Sequence, residues 1–143
     1  MILGATEVDL EFNANVVTHS DGYLLHGIGG WQNCLFSKTV ILPIPLFRDR
    51  VPVVREQVTT LCGPGELIDV VVTERGIAIN PRRTDLLELT KDSGLPIKSI
   101  EELKAEADRI CGLPAPPVLE EKVVAAIKWV DGTVIDVVRQ VSK

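Results

Sequence analysis

Three glycines in the run His26-Gly27-Ile28-Gly29-Gly30 are the clearest opening for chemistry in this chain of 143 residues. Glycine adopts positive φ without steric cost and lets a second molecule approach the backbone closely. Between a strand and a short helix, such a loop turns N–H groups toward a phosphate, a carboxylate or a developing oxyanion. The same pattern also serves as a purely structural tight turn. A second candidate spans residues 72–81, where Glu74 and Arg75 end an apolar run just ahead of Gly76. Charged groups at the carboxyl end of a sheet strand lie where ligands settle in α/β folds. The alternative is a turn whose Glu74 and Arg75 point into water. Arg82 and Arg83 follow at the start of a predicted helix, where cations are unfavourable unless an anion or carboxylate offsets them.

Asn13 and Asn15 form a third group. Their amides can hold a carboxylate or carbonyl by donating hydrogen bonds, or they can close Asx turns. The histidines, His19 and His26, have no Ser, Asp or Cys partner at a spacing that suggests a triad. His26 adjoins the glycine run, where it either touches a ligand or makes a local hydrogen bond. Cys34, Cys62 and Cys111 are odd in number and widely spaced, which argues against zinc and against a secreted disulfide framework. They read as small thiols of a reducing cytoplasm, and no metal is expected.

The elements that must hold these residues alternate between strands and helices. Residues 7–12 alternate polar and apolar, which predicts a strand with one wet face. Residues 23–25, after Asp21-Gly22, predict the next strand. Residues 39–42 predict a buried strand stopped by Pro43 and Pro45. Short edge strands are expected at 51–54 and 58–61, and a central strand at 67–73 followed by 77–79. A helix over 84–93 places Leu86, Leu87 and Leu89 toward a core and stops at Gly94. A second helix opens at Ser99, with Glu102 completing a capping box, and buries Ile100, Leu103, Ala107 and Ile110 before Gly112. Residues 113–117 form a stiff proline connector. Asp131-Gly132 between two β-rich runs predicts a terminal hairpin.

Composition bounds the function. Hydrophobic residues are 45% and charged residues 24%, as in an ordinary globular domain, and a chain of this length buries about two-thirds of its unfolded surface. The net charge of −5, with no Lys/Arg cluster, excludes general nucleic-acid binding. The longest apolar run, residues 40–47, is too short to span a bilayer and contains two prolines. The amino terminus has no basic region and soon meets Glu7 and Asp9, unlike a signal peptide.

Glu7-Val8-Asp9-Leu10, Phe12-Asn13-Ala14-Asn15-Val16-Val17-Thr18, Gly27-Ile28-Gly29-Gly30, Val72-Thr73-Glu74-Arg75-Gly76-Ile77-Ala78-Ile79-Asn80-Pro81-Arg82 and residues 131–141 occur in this order. The combination resembles the carboxy-terminal part of CoA transferases, above all the α subunits of citrate lyase. The resemblance covers nearly the whole chain but only the last third of such subunits. It therefore implies a piece of a longer, two-domain subunit that is inactive as an isolated chain. The implied fold is α/β: residues 1–143 as a single mixed-sheet CoA transferase-like (NagB/RpiA-like) domain with a C-terminal β-hairpin.

The activity implied by the resemblance is that of a citrate:acetyl-acyl-carrier-protein transferase (a citrate CoA-transferase). It exchanges acetate for citrate on a CoA-type thioester, a phosphopantetheine-like prosthetic group on a partner acyl carrier protein. Partners would be the β and γ (acyl carrier) subunits, with a homo-oligomer expected from uncovered apolar surface. By position, the N–H groups of Gly27, Gly29 and Gly30 would face the thioester as catalytic donors, and such donors contribute about 3–4 kcal/mol each in acyl transfer. Asn13 or Asn15 would hold the incoming carboxylate, with Glu74 and Arg75 as further substrate contacts. Trp31-Gln32-Asn33-Cys34-Leu35-Phe36 departs from the small, acid-containing stretch usual after these glycines. Two other readings remain open. One is a non-catalytic assembly module docking an acyl carrier protein through Arg48, Arg50, Arg55, Arg75, Arg82 and Arg83. The other is the related α subunit of citramalate lyase or malonate decarboxylase.

Overall fold

Glycine, proline and Asx turns interrupt the apolar runs, so most strands are only two to four residues long in the computed structural model, which describes residues 1–142. In chain order the elements are β1 (Glu7–Asp9), β2 (Ala14–Asn15), α1 (Trp31–Cys34), β3 (Ile41–Pro43), β4 (Phe47–Arg48), β5 (Val51–Pro52) and β6 (Val54–Arg55). After a 3₁₀ turn at Gly65–Leu67 come β7 (Val70–Thr73), β8 (Gly76–Ile79), α2 (Thr84–Thr90), α3 (Ile100–Cys111), β9 (Leu119–Lys128) and β10 (Val134–Val141).

The expected single mixed sheet is instead four small ones. The order β2-β1-β6 combines an antiparallel and a parallel pair, and so does β3-β7-β8. The pairs β4–β5 and β9–β10 are separate antiparallel hairpins. A main core built on Val8, Leu42, Val54, Ile68, Val71 and Leu103 joins the two larger sheets to α3. A second cluster of Val16, Val17, Cys62, Ile127 and Val138 seats the terminal hairpin on the body. Among the described residues no helix is long and apolar enough to cross a membrane.

The capping box at Ser99 forms with both reciprocal hydrogen bonds, and α3 buries Ile100, Leu103 and Ala107, but Ile110, expected to join them, is 40% exposed in the last turn. The terminal hairpin also forms: Gly132, at φ 91°, donates to Trp129 O at 2.9 Å, and Asp131 Oδ1 accepts from Thr133 N and Oγ1. Other expectations need correction. The strand expected over residues 7–12 ends at Asp9, where Phe12 N turns back to Asp9 O at 2.9 Å, and it has no wet face, because Glu7 and Asp9 are buried within a polar network. Residues 23–25 form no strand; Leu24 makes one isolated bridge to Thr18, and all three side chains are exposed. Residues 58–61 form none either, because carboxylates take their backbone donors. Asp9 accepts from Val58 N at 3.3 Å, Glu7 from Thr59 N at 2.7 Å and Asp136 from Leu61 N at 2.7 Å. The leucines of α2 do not enter the core; the helix buries no residue, and Leu89 is 77% exposed. Two turns of helix are too few to present a stripe wide enough to pack.

Candidate functional site

Val17 leads from β2 toward the glycine loop, and Trp31 pins the loop's far end. The indole Nε1 of Trp31 donates to Gly4 O at 2.9 Å, and its ring lies so close over Gly63 that a Cβ there would meet it at 2.5 Å. Gln32, buried in the short α1, donates to Cys62 O at 2.9 Å. The bulky stretch after the glycines therefore anchors the loop. Between these anchors Gly29 adopts φ 59°, while Gly27, Gly29 and Gly30 each have open space where a Cβ would stand. Among the described residues, the N–H groups of Gly27, Ile28, Gly29 and Gly30 have no hydrogen-bond partner. His26 Nδ1 lies 2.9 Å from Gly27 O, and because a carbonyl only accepts, Nδ1 carries the proton.

The loop stands between two hollows. One, of about 300 Å³, is apolar and bordered by Ala5, Val16, Ile28 and Trp31. The other, of about 330 Å³, lies between Gly27–Gly29 and residues 125–128 of β9. No Asp or Glu lines this second cleft. A larger hollow of about 460 Å³, between α3 and the proline connector, carries charges that are matched internally. There Lys104 pairs with Asp108 at 2.8 Å and with Glu56 at 3.2 Å.

Beneath the loop lies a buried polar network that the sequence pattern did not disclose. Glu7 Oε1 accepts from Arg55 Nη1 at 2.7 Å and Thr59 Oγ1 at 3.0 Å, and Oε2 accepts from Asn15 Nδ2 at 2.8 Å. Burial would raise the Glu7 carboxyl, but the donors from Asn15 and Thr59 and the charge of Arg55 outweigh it and hold the group below its ordinary range. Glu7 is thus an ionised, fully engaged carboxylate and not a free base or nucleophile. Asn15 also donates to Thr18 Oγ1 at 2.8 Å and accepts from Val17 N and Thr18 N, each at 3.1 Å. Its amide shapes residues 15–18, the wall from which Val17 enters the cleft. The one available signal was an Arg closing the apolar run 51–54, a cation with no reason to be there unless paired. Cys62 is inert for the opposite reason: burial pushes its thiol up to about 11.

The other sequence candidates lie elsewhere. Asn13 closes a turn, donating to Asp9 Oδ2 at 3.2 Å and accepting from Gly65 N at 2.9 Å. Glu74 and Arg75 form the two-residue loop of the β7–β8 hairpin. Glu74 accepts from Leu46 N at 3.0 Å, Arg75 lies 3.9 Å from Glu106, and neither lines the glycine-loop cleft. Arg83 is offset by carboxylates of the chain itself, Asp69 at 2.7 Å and Asp85 at 2.6 Å, while Arg82 lies 3.6 Å from Glu66. With Arg55 committed to Glu7, four of the six arginines expected to form a basic docking patch are paired with acids.

The family model described as "Citrate lyase, alpha subunit (CitF)" matches residues 1–141. The citrate lyase alpha chain of Klebsiella pneumoniae is 42% identical over 142 residues, which cover 99% of this chain and 28% of that one. That of Escherichia coli (strain K12) is 40% identical over 144 residues, covering 100% and 28%. A crystal structure of a chain assigned as the alpha subunit of citrate lyase from Streptococcus mutans, in complex with citrate, superposes with a TM-score of 0.96 at 47% identity. That match covers 99% of this chain and 28% of the other. A RipA structure, at 20% identity and a TM-score of 0.51 over 76% of this chain and 26% of that one, shares the fold alone. The chain thus spans 28% of the length of the citrate lyase relatives it matches.

Proposed function

The chain belongs to the family of citrate lyase alpha subunits, and on that premise we propose that it forms the glycine-loop side of a citrate CoA-transferase site. Residues 1–143 make up the carboxy-terminal CoA transferase-like domain, of the NagB/RpiA-like kind. The reaction exchanges acetate for citrate on the thiol of a phosphopantetheine-like arm carried by the acyl carrier γ subunit, in the cytoplasm. The β subunit then cleaves the citryl thioester to acetyl thioester and oxaloacetate. One carboxylate enters and another leaves while a thioester is kept, so the exchange calls for no oxidant or reductant.

The observation that supports this reading is the run of unpartnered N–H groups from Gly27 to Gly30, in a loop whose residues 27–29 border the cleft beside β9. Such donors, fixed before reaction, stabilise the oxyanion that develops at the thioester carbonyl. Asn15 acts one step back as a positioning residue, and Asn13, Glu74 and Arg75 keep the roles of turn closure and surface pairing described above. The covalent step on a carboxylate nucleophile is assigned to the part of the relatives that this chain does not span, so the chain alone binds without turning over.

Gly27→Ala tests the site. Gly27 lines the cleft beside β9, has no positive φ and has open space at its Cβ position, so alanine fits the folded chain and intrudes on an approaching ligand. Calorimetry with acetyl-CoA should show weakened binding at unchanged melting temperature; unchanged affinity would overturn the site. Titration with citrate, citramalate and malonate ranks the acids, and citrate should bind tightest.

A further inference from the structure

We infer that the free edge of β9 at Ala126 and Lys128 is a binding site for the amide groups of the thioester arm, opposite the glycine loop. The inference deepens the function proposed above and rests on it. Four consecutive residues, Ala125 to Lys128, line the cleft beside Gly27–Gly29. Side chains alternate between the faces of a strand, so consecutive residues line a cleft together only when the strand's edge is turned toward it. Among the described residues that edge is unpaired, because β9 has β10 as its one neighbour.

The backbone phase follows from the turn. Trp129 N donates to Thr133 O at 2.7 Å, so Trp129 faces β10. The register then steps from Lys128 opposite Val134 to Ile127, Ala126 and Ala125 opposite Asp136, Val137 and Val138, with the extra residue on β10. Antiparallel strands alternate inward and outward groups. The N–H and C=O of Lys128 and Ala126 therefore point away from β10, into the cleft, about 6.8 Å apart along the strand. Ile127, 5% exposed, and Asp136, which accepts from Leu61 N at 2.7 Å, clamp this edge in place.

The ligand chemistry this edge suits is an extended chain that carries its own amides and adds as a strand would. A pantetheine-like arm has two amides joined by a β-alanine unit, each with an N–H to donate and a C=O to accept along the edge. Its width also suits a cleft of about 330 Å³ better than a full peptide strand with side chains. The small side chains of Ala125 and Ala126 leave the approach open.

The test uses S-acetylpantetheine on the 143-residue chain, read by amide hydrogen exchange and by binding affinity. The Ala126 and Lys128 amides should gain protection while those of Glu74 and Arg75 do not change. Ala126→Pro removes the outward N–H at an edge position that tolerates proline, and should weaken binding about threefold to tenfold. Ala126→Ser, which keeps the N–H, should not. Binding without protection at Ala126 and Lys128 overturns the edge while leaving the glycine-loop reading intact; no binding at all overturns both. Protection that appears on raising protein concentration without ligand assigns the edge to a second copy of the chain and also overturns the proposal.

Discussion

Glu7 is a carboxylate buried without becoming reactive. Its two oxygens take donors from Arg55, Thr59 and Asn15, so the ionised form is the stable one. A carboxyl held below its unfolded value of 4.5 contributes stability above that pH and loses it as pH falls through the folded value. Asp9 works in the opposite sense: burial pushes it up despite four N–H donors, because no cation faces it. Glu7→Gln isolates the first contribution. It leaves Arg55 buried without a counter-charge and should cost about 3 kcal/mol at pH 7 by urea denaturation. The cost should shrink below pH 4.5, where the wild type loses the same contribution. A penalty that does not vary between pH 7 and pH 4 would refute the assignment.

The carboxy-terminal hairpin is the element on which the cleft depends. β9 and β10 contribute no strand to either three-stranded sheet and hold to the body through Ile127, Val138 and the Asp136–Leu61 contact. Ile127→Ala should therefore cost about 2–4 kcal/mol, measured by denaturant melting. It should also raise exchange of the β9 amides well before those of β7. A loss below about 1 kcal/mol would mean that the hairpin stands independently of the core. The two longer helices show the contrast between local and tertiary control. α3 starts where Ser99 and Glu102 cap it and packs through Ile100, Leu103 and Ala107, leaving Ile110 of the same repeat exposed. α2 also forms, but it buries no residue: Leu86 is half-buried, Leu87 only borders a hollow beside Phe12, Ile79 and Ile97, and Leu89 stays exposed.

At the scale of the whole molecule, apolar exposure is the feature that calls for a partner. Leu113 is 82% exposed, Leu89 77% and Val118 72%, in a chain that spans 28% of its relatives' length. Exposed apolar surface on this scale drives association, so sedimentation should find the chain above monomer mass at micromolar concentration, and a strict monomer would contradict this. Much of this architecture was legible in one dimension. The capping box, the Asp131-Gly132 turn, β7 and β8 with their connecting loop, and the glycine loop ahead of a short helix all follow from neighbouring residues, since caps, turns and φ preferences are local. The Glu7–Arg55 pair, the carboxylates that take the donors of residues 58–61, the exposure of α2 and the facing of β9 toward Gly27–Gly29 are different in kind. Each joins groups dozens of residues apart, and no local preference encodes which distant donor meets which acceptor; packing of the core around Val8, Val54 and Ile127 sets those meetings.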